Sequence, residues 1–152
     1  MVKHRYWDSC VILGWLKGEQ DKIDECRAGI KAAEKGDIQI ITSSLTLAEV
    51  LHLKGKDKIP KADREKVRGF FENDYIALYD VDRTIAELAQ DVVWDHGIAP
   101  KDAIHVATAM SLSSRIALDQ FDTFDEPLIE RSGKIGEPGL KIGRPNLPIP
   151  MF

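Results

Sequence analysis

Short apolar runs alternate with stretches of three-to-four-residue periodicity along most of the chain. KHRYW at 3–7 reads as a first strand, and SCVILGWL at 9–16 as the start of a helix with Ser9 placed to cap it. Ile23, Cys26, Ile30 and Ala33 then recur at helical spacing, and Gly36 marks the end of that helix. IQIIT is a second buried strand. SSLTLAEVLHL carries a cap signal and an apolar face, which predicts a helix from near Ser44. The charged loop KGKDKIPKAD follows, Pro60 opens a helix running to about Glu72, and YIALYDV is a third strand. DRTIAELAQDVVWDHG turns Ile85, Leu88, Ala89, Val92 and Val93 inward, and IAPKDAIHVATAMSL is a further helix with Pro100 in its first turn. A strand falls within 116–123, and DEPLIERSG is a short last helix or turn. Strands separated by helices predict an α/β domain with a mostly parallel sheet covered on both faces.

The last 21 residues break this pattern. From Ser132 onward the chain is rich in Gly and Pro yet keeps Ile135, Leu140, Ile142, Leu147, Ile149 and Phe152. We therefore expect a main domain over 1–131 and an extension over 132–152 docked on it, with an edge strand near Lys141; a disordered tail is usually less apolar.

Composition narrows the class. The chain has 152 residues, 43% hydrophobic and 30% charged, enough for one domain with a sizeable core. No apolar run nears the roughly 20 residues that span a bilayer. The N-terminus meets charge too early for a secretory signal, so a cytoplasmic protein is expected, with no membrane partner. Cys10 and Cys26 match no metal motif and are expected to be reduced thiols. Trp7, Trp15 and Trp94 read as core or interface residues. The net charge of −4 means that binding a polyanion would need local positive charge or a metal.

The acids carry the chemistry. In a parallel α/β sheet, ligands bind beyond the carboxyl ends of the strands. Asp8 ends the first strand and either faces that crevice or caps the following helix. Glu49 sits in an apolar stretch, with Leu45, Thr46, His52 and Leu53 on its helical face, and is expected to be at least half buried. Asp102 lies in the first turn of its helix, where the dipole favours an acid, and Ala103, Ala107 and Ala109 would let that helix approach the sheet. His105, one turn on, reads as a hydrogen-bonded structural residue. DQFDTFDEPLI brings Asp125 to the end of the last strand. Three or four carboxylates gathered at one point repel unless a cation sits among them, and oxygen donors suit magnesium or manganese. Such a site suits phosphodiester hydrolysis.

In order along the chain, YWDSCVILGWL, ITSSLTLAEVL, IAPKDAIHVATAM and FDTFDEPLI resemble the motifs of PIN-domain proteins over about residues 6–129. The resemblance implies a three-layer α/β/α fold and a ribonuclease whose acids bind magnesium or manganese. In small single-domain members it also implies the toxin of a type II toxin–antitoxin pair, the VapC type, held by an antitoxin and commonly homodimeric. Carried over by motif, Asp8, Glu49, Asp102 and Asp125 would be the catalytic acids, with Asp8, Asp102 and Asp125 as metal ligands. Ser9 and Thr123 would hydrogen-bond the acids or a bound water. The segment between Asp102 and Asp125 is longer than usual, which makes Asp122 a rival for the fourth acid. Lys54, Lys56, Lys58, Lys61 and Arg64, beside the helix of Glu49, could track an RNA backbone or be a solvated loop; Lys134, Lys141 and Arg144 form a weaker set. A catalytically silent RNA- or protein-binding module is the alternative. An aspartyl phosphohydrolase would carry a second acid where Cys10 stands, and a receiver would want an acid where the second strand ends in ITSS.

Overall fold

A computed structural model describes residues 1–147; of the apolar tail positions, Ile149 and Phe152 lie outside the described residues. The strands are β1 Lys3–Trp7, β2 Ile38–Ser43, β3 Ile76–Tyr79, β4 Leu118–Asp122 and β5 Ile142–Gly143. The helices are α1 Ser9–Lys17, α2 Ile23–Glu34, α3 Thr46–Glu49, α4 Arg64–Phe71, α5 Arg83–His96, α6 Pro100–Ser113 and α7 Glu126–Ile129, with a 3-10 turn, Lys61–Asp63, leading into α4. All strand pairs are parallel, in the order β3-β2-β1-β4-β5.

Strand alternation builds two cores. Tyr6 points to one side, where it stacks on its cross-strand partner Phe121 with ring centroids 4.9 Å apart. Ile85, Ala89 and Val92 of α5 and Val106, Ala107 and Leu112 of α6 fill that side. Trp7 points the other way, into Val11, Ile12, Ile30, Ile40 and Phe70 from α1, α2, β2 and α4. The result is a three-layer α/β/α domain. Small residues set the layer spacing: Ala103, Ala107 and Ala109 on α6 are fully enclosed. On the opposite face, Gly29 admits the Trp7 ring, since a Cβ there would lie 2.4 Å from it.

Residues 132–147 lie along the sheet edge. Ile135, Leu140 and Ile142 are buried in the Tyr6 core. Phe121 N–H and Thr123 N–H donate to the carbonyls of Lys141 and Gly143, each at 2.9 Å, which adds β5 beside β4.

Two local expectations are corrected. Asp8, not Ser9, caps α1: its carboxylate accepts from Val11 N–H at 3.3 Å, and Ser9 is the first helical residue. A carboxylate at the strand end reaches the open N–H groups that a residue already inside the helix cannot. The helix carrying Glu49 is also only four residues long. Leu51 N–H and His52 N–H bond carbonyls three residues back, and Ile59 N–H then donates to the Leu51 carbonyl at 2.9 Å. The charged loop thus folds back on α3 instead of extending it, so His52 and Leu53 do not share a helical face with Glu49. Of the tryptophans, Trp7 is buried and Trp94 is 75% exposed, so the core reading fails for Trp94.

Candidate active site

The strand order reverses around β1: the chain leaves it toward β2 and β3, then returns on the other side as β4. A crevice beyond the carboxyl ends of β1 and β4 is the expected ligand site of such a sheet. Asp8 follows β1 directly, and Thr123 and Asp125 follow β4. Asp102 stands in the first turn of α6, where Pro100 at the helix start fixes the backbone without needing a donor. Glu49 ends α3 just beyond β2.

The acids share one electrostatic field. Asp102 is half-buried, and its carboxyl is pushed up to about 6, first by burial and then by the charges of Asp8, Asp125 and Glu49. Burial also pushes Asp8 up, opposed by His105 and by donors from Cys10, Thr123 and Val11. The Thr123 hydroxyl donates to Asp8 Oδ2 at 2.5 Å and accepts from Asp125 N–H at 3.0 Å, so one side chain sets the spacing between the two strand-end acids. Ser9 Oγ donates to Glu49 Oε1 at 2.5 Å. Both predicted hydroxyls therefore contact acids.

Sequence reasoning missed several partners. His105 Nε2 lies 2.6 Å from Glu49 Oε1 and 3.0 Å from Ser9 Oγ, while Tyr6 Oη lies 2.7 Å from His105 Nδ1. Glu49 is held below the usual range although burial acts to raise it, because His105, Ser9 and, more weakly, the Lys101 ammonium oppose that effect. Lys101 is thus a cation near the acids, legible only as the neighbour of Asp102. The Cys10 thiol donates to Asp8 Oδ1 at 2.9 Å, and burial with the Asp8 charge keeps it protonated. Neither cysteine is in a disulfide.

Asp122 is engaged elsewhere. It is fully enclosed and accepts from Arg5 Nη1 at 2.8 Å, Trp7 Nε1 at 2.9 Å and Gln120 Nε2 at 2.7 Å. Burial still pushes its carboxyl up to about 6 against the pull of Arg5. Arg5 also reaches Asp119 and Asn146, tying β1, β4 and the tail together. The signal for this cluster was Arg5 in the middle of KHRYW, on the same strand face as Trp7.

Lys56 pairs with Glu19. Lys58, Lys61 and Arg64 join Arg68 around a groove of ≈ 630 Å³ floored by Leu47, Leu51, Ile59, Val67 and Phe71. Leu47 and Leu51 are both 41% exposed. Among the described residues no ion pair links any of these cations to Asp8, Glu49, Asp102 or Asp125. Arg144 pairs with Glu25 and lies over the Phe124 ring.

The donor chemistry fits a hard divalent cation, since the acids offer carboxylate oxygens and the charges of Asp8, Asp125 and Glu49 add to the upward push on Asp102. They do not form a finished ligand sphere: among the described residues no three His, Cys, Asp or Glu side chains converge on one point. Both Asp8 oxygens and one Glu49 oxygen are held by protein donors.

Likenesses to known proteins agree with this layout. No curated protein matches the chain by sequence. A chain in a solved structure, a toxin-antitoxin complex from Klebsiella pneumoniae, is 18% identical with a TM-score of 0.57; the likeness covers 95% of this chain and 99% of that one, and it shows a shared fold. The sequence pattern of the PIN domain matches residues 5–133, most of the chain, with Asp8, Glu49, Asp102 and Asp125 all inside it. The chain belongs to the PIN-domain family.

Proposed function

We propose that this chain is a divalent-metal-dependent endoribonuclease and the toxin of a type II toxin–antitoxin pair. The observation that carries the reading is the electrostatic coupling of Asp102 to Asp8, Asp125 and Glu49, which come from four separate parts of the chain. Asp8, Asp102 and Asp125 would hold magnesium or manganese, and Asp125 is preferred to Asp122 because Arg5, Trp7 and Gln120 already occupy Asp122. The ion would lower the pKa of a water and offset charge on the phosphate. Thr123 keeps the Asp8 carboxylate aimed, Ser9 steadies Glu49, and Lys101 supplies positive charge at the mouth.

The structural likeness to a chain of a toxin-antitoxin complex supports a protein partner. The groove between α3 and α4 supports it too: an apolar floor rimmed by four cations suits an acidic amphipathic segment better than an RNA backbone, which needs no apolar floor. We therefore assign Lys58, Lys61 and Arg64 to the antitoxin rather than to RNA. Homodimer formation and a cytoplasmic location belong to the same reading; light scattering of the purified chain reads the first. Among the described residues no helix is long and apolar enough to cross a membrane.

Asp102→Asn keeps the side-chain shape and removes one charge. Magnesium-dependent cleavage of RNA should fall by at least ~100-fold, and EDTA should abolish wild-type cleavage. Equal cleavage by both proteins, or wild-type cleavage that survives EDTA, overturns the assignment. A catalytically silent module would show no magnesium-dependent cleavage in either protein.

A further inference from the structure

His105 is a buried titratable group for which the nuclease chemistry has no direct use. It is 1% exposed and lies on α6 one turn beyond Asp102. Its two ring nitrogens face opposite ways: Nδ1 meets Tyr6 Oη at 2.7 Å, on the core side of β1, and Nε2 meets Glu49 Oε1 at 2.6 Å. Ser9 Oγ donates to the same Glu49 oxygen. The carboxylate is thus asymmetric. Oε1 is gripped by two partners, whereas Oε2 makes no hydrogen bond among the described residues and is not enclosed.

We propose that His105 is a positioning residue that takes one oxygen of Glu49 and thereby presents the other, Oε2, to the crevice, where it would join Asp8, Asp102 and Asp125 around the ion. This deepens the nuclease reading and rests on it. A four-residue helix followed by a charged loop cannot fix Glu49 by itself, because α3 has too few internal hydrogen bonds to set the orientation of its last side chain. The restraint comes from α6, the longer and better-packed element, and Tyr6 anchors the ring from the sheet. Glu49 carboxylate needs a proton donor at Nε2. Tyr6 completes that arrangement whether its hydroxyl donates to Nδ1 or accepts from it. Partners that orient ligating groups in this way typically change metal affinity about 10–100-fold when removed.

The test uses two near-isosteric substitutions and a readout that does not need RNA. His105→Gln places an amide N–H where Nε2 stood and keeps the donor to Glu49. His105→Asn places its amide near Nδ1 and loses that donor. The manganese concentration giving half-maximal thermal stabilisation is measured for each, together with kcat and KM on RNA. The expected result is a wild-type-like manganese response for Gln. For Asn the midpoint should rise about tenfold, kcat should fall and KM should barely change. Tyr6→Phe, which leaves the Nε2 contact in place, should give a smaller rise. Gln and Asn variants with the same manganese midpoint overturn the positioning role even if both are folded and less stable. Wild-type protein with no manganese response, and loss of nothing further in Asp102→Asn, overturns the nuclease reading and this inference together. A wild-type response that survives unchanged in His105→Asn overturns this inference alone.

Discussion

At the scale of single residues, burial and charge decide which acids can act. Asp122 and Asp102 are both pushed up to about 6, first by burial in each case, but Arg5 opposes the rise at Asp122 while neighbouring acids add to it at Asp102. Asp122 is enclosed and has Arg5 beside it; Asp102 is half-buried and surrounded by other acids. Removing the charge therefore has opposite consequences. Asp122 would leave Arg5 without a buried partner, whereas Asp102→Asn relieves repulsion. The sign follows from linkage. A carboxyl raised in the fold is harder to ionise there than in the unfolded chain, so the cost is absent below about pH 4 and complete above about pH 6. With EDTA present, Asp102→Asn should raise Tm at pH 8 by about 2–4 °C, equivalent to ~1 kcal/mol after discounting for partial exposure. At pH 4 the gain should vanish. A thermal scan showing the variant less stable than wild type at pH 8 under chelation would contradict the clustering of these acids.

At the scale of elements, the region from α3 to α4 is where local pattern and tertiary outcome part. The apolar period predicted a longer helix from near Ser44, but only Thr46–Glu49 is helical. Leu47 and Leu51 are left partly exposed and, with Val67 and Phe71 of α4, form the cation-rimmed groove. A groove of this kind binds through a few central apolar contacts. Replacing both Leu47 and Leu51 by Asp should leave the fold intact, because both are surface residues. In cells co-expressing the proposed antitoxin, the double variant should capture it at least about tenfold more weakly. Capture at wild-type strength would place the partner on another surface.

At the scale of the whole molecule, the region beyond the PIN match is part of the packing. The family match ends at residue 133, but Ile135, Leu140 and Ile142 lie in the Tyr6 core, and β5 completes the sheet beside β4. Each buried aliphatic side chain contributes about 1.5–3 kcal/mol, so three of them rival the ~5–15 kcal/mol net stability of a domain. A chain cut after Ser132 should lose its cooperative thermal transition or melt at least ~10 °C lower, as followed by circular dichroism. A truncated chain melting within a few degrees of the full one would show that the strap is dispensable. The same cut removes Gly143, whose carbonyl holds the Thr123 amide, so the site should loosen with it.

The sequence by itself determined the strands and most helices, because side-chain periodicity is a local property: β1, α2, α5 and α6 start or end within a residue or two of where their apolar positions indicate. It also offered Asp8 and Asp125 at strand ends, Asp102 in a first helical turn and Glu49 in an apolar stretch as candidate acids, within motifs in a fixed order. Only the tertiary structure decided which side chains meet. Arg5 finds Asp122, His105 finds Glu49, and Thr123 finds Asp8 across separations of 117, 56 and 115 residues. Pairings so distant along the chain depend on sheet order and helix packing, and no local spacing encodes them.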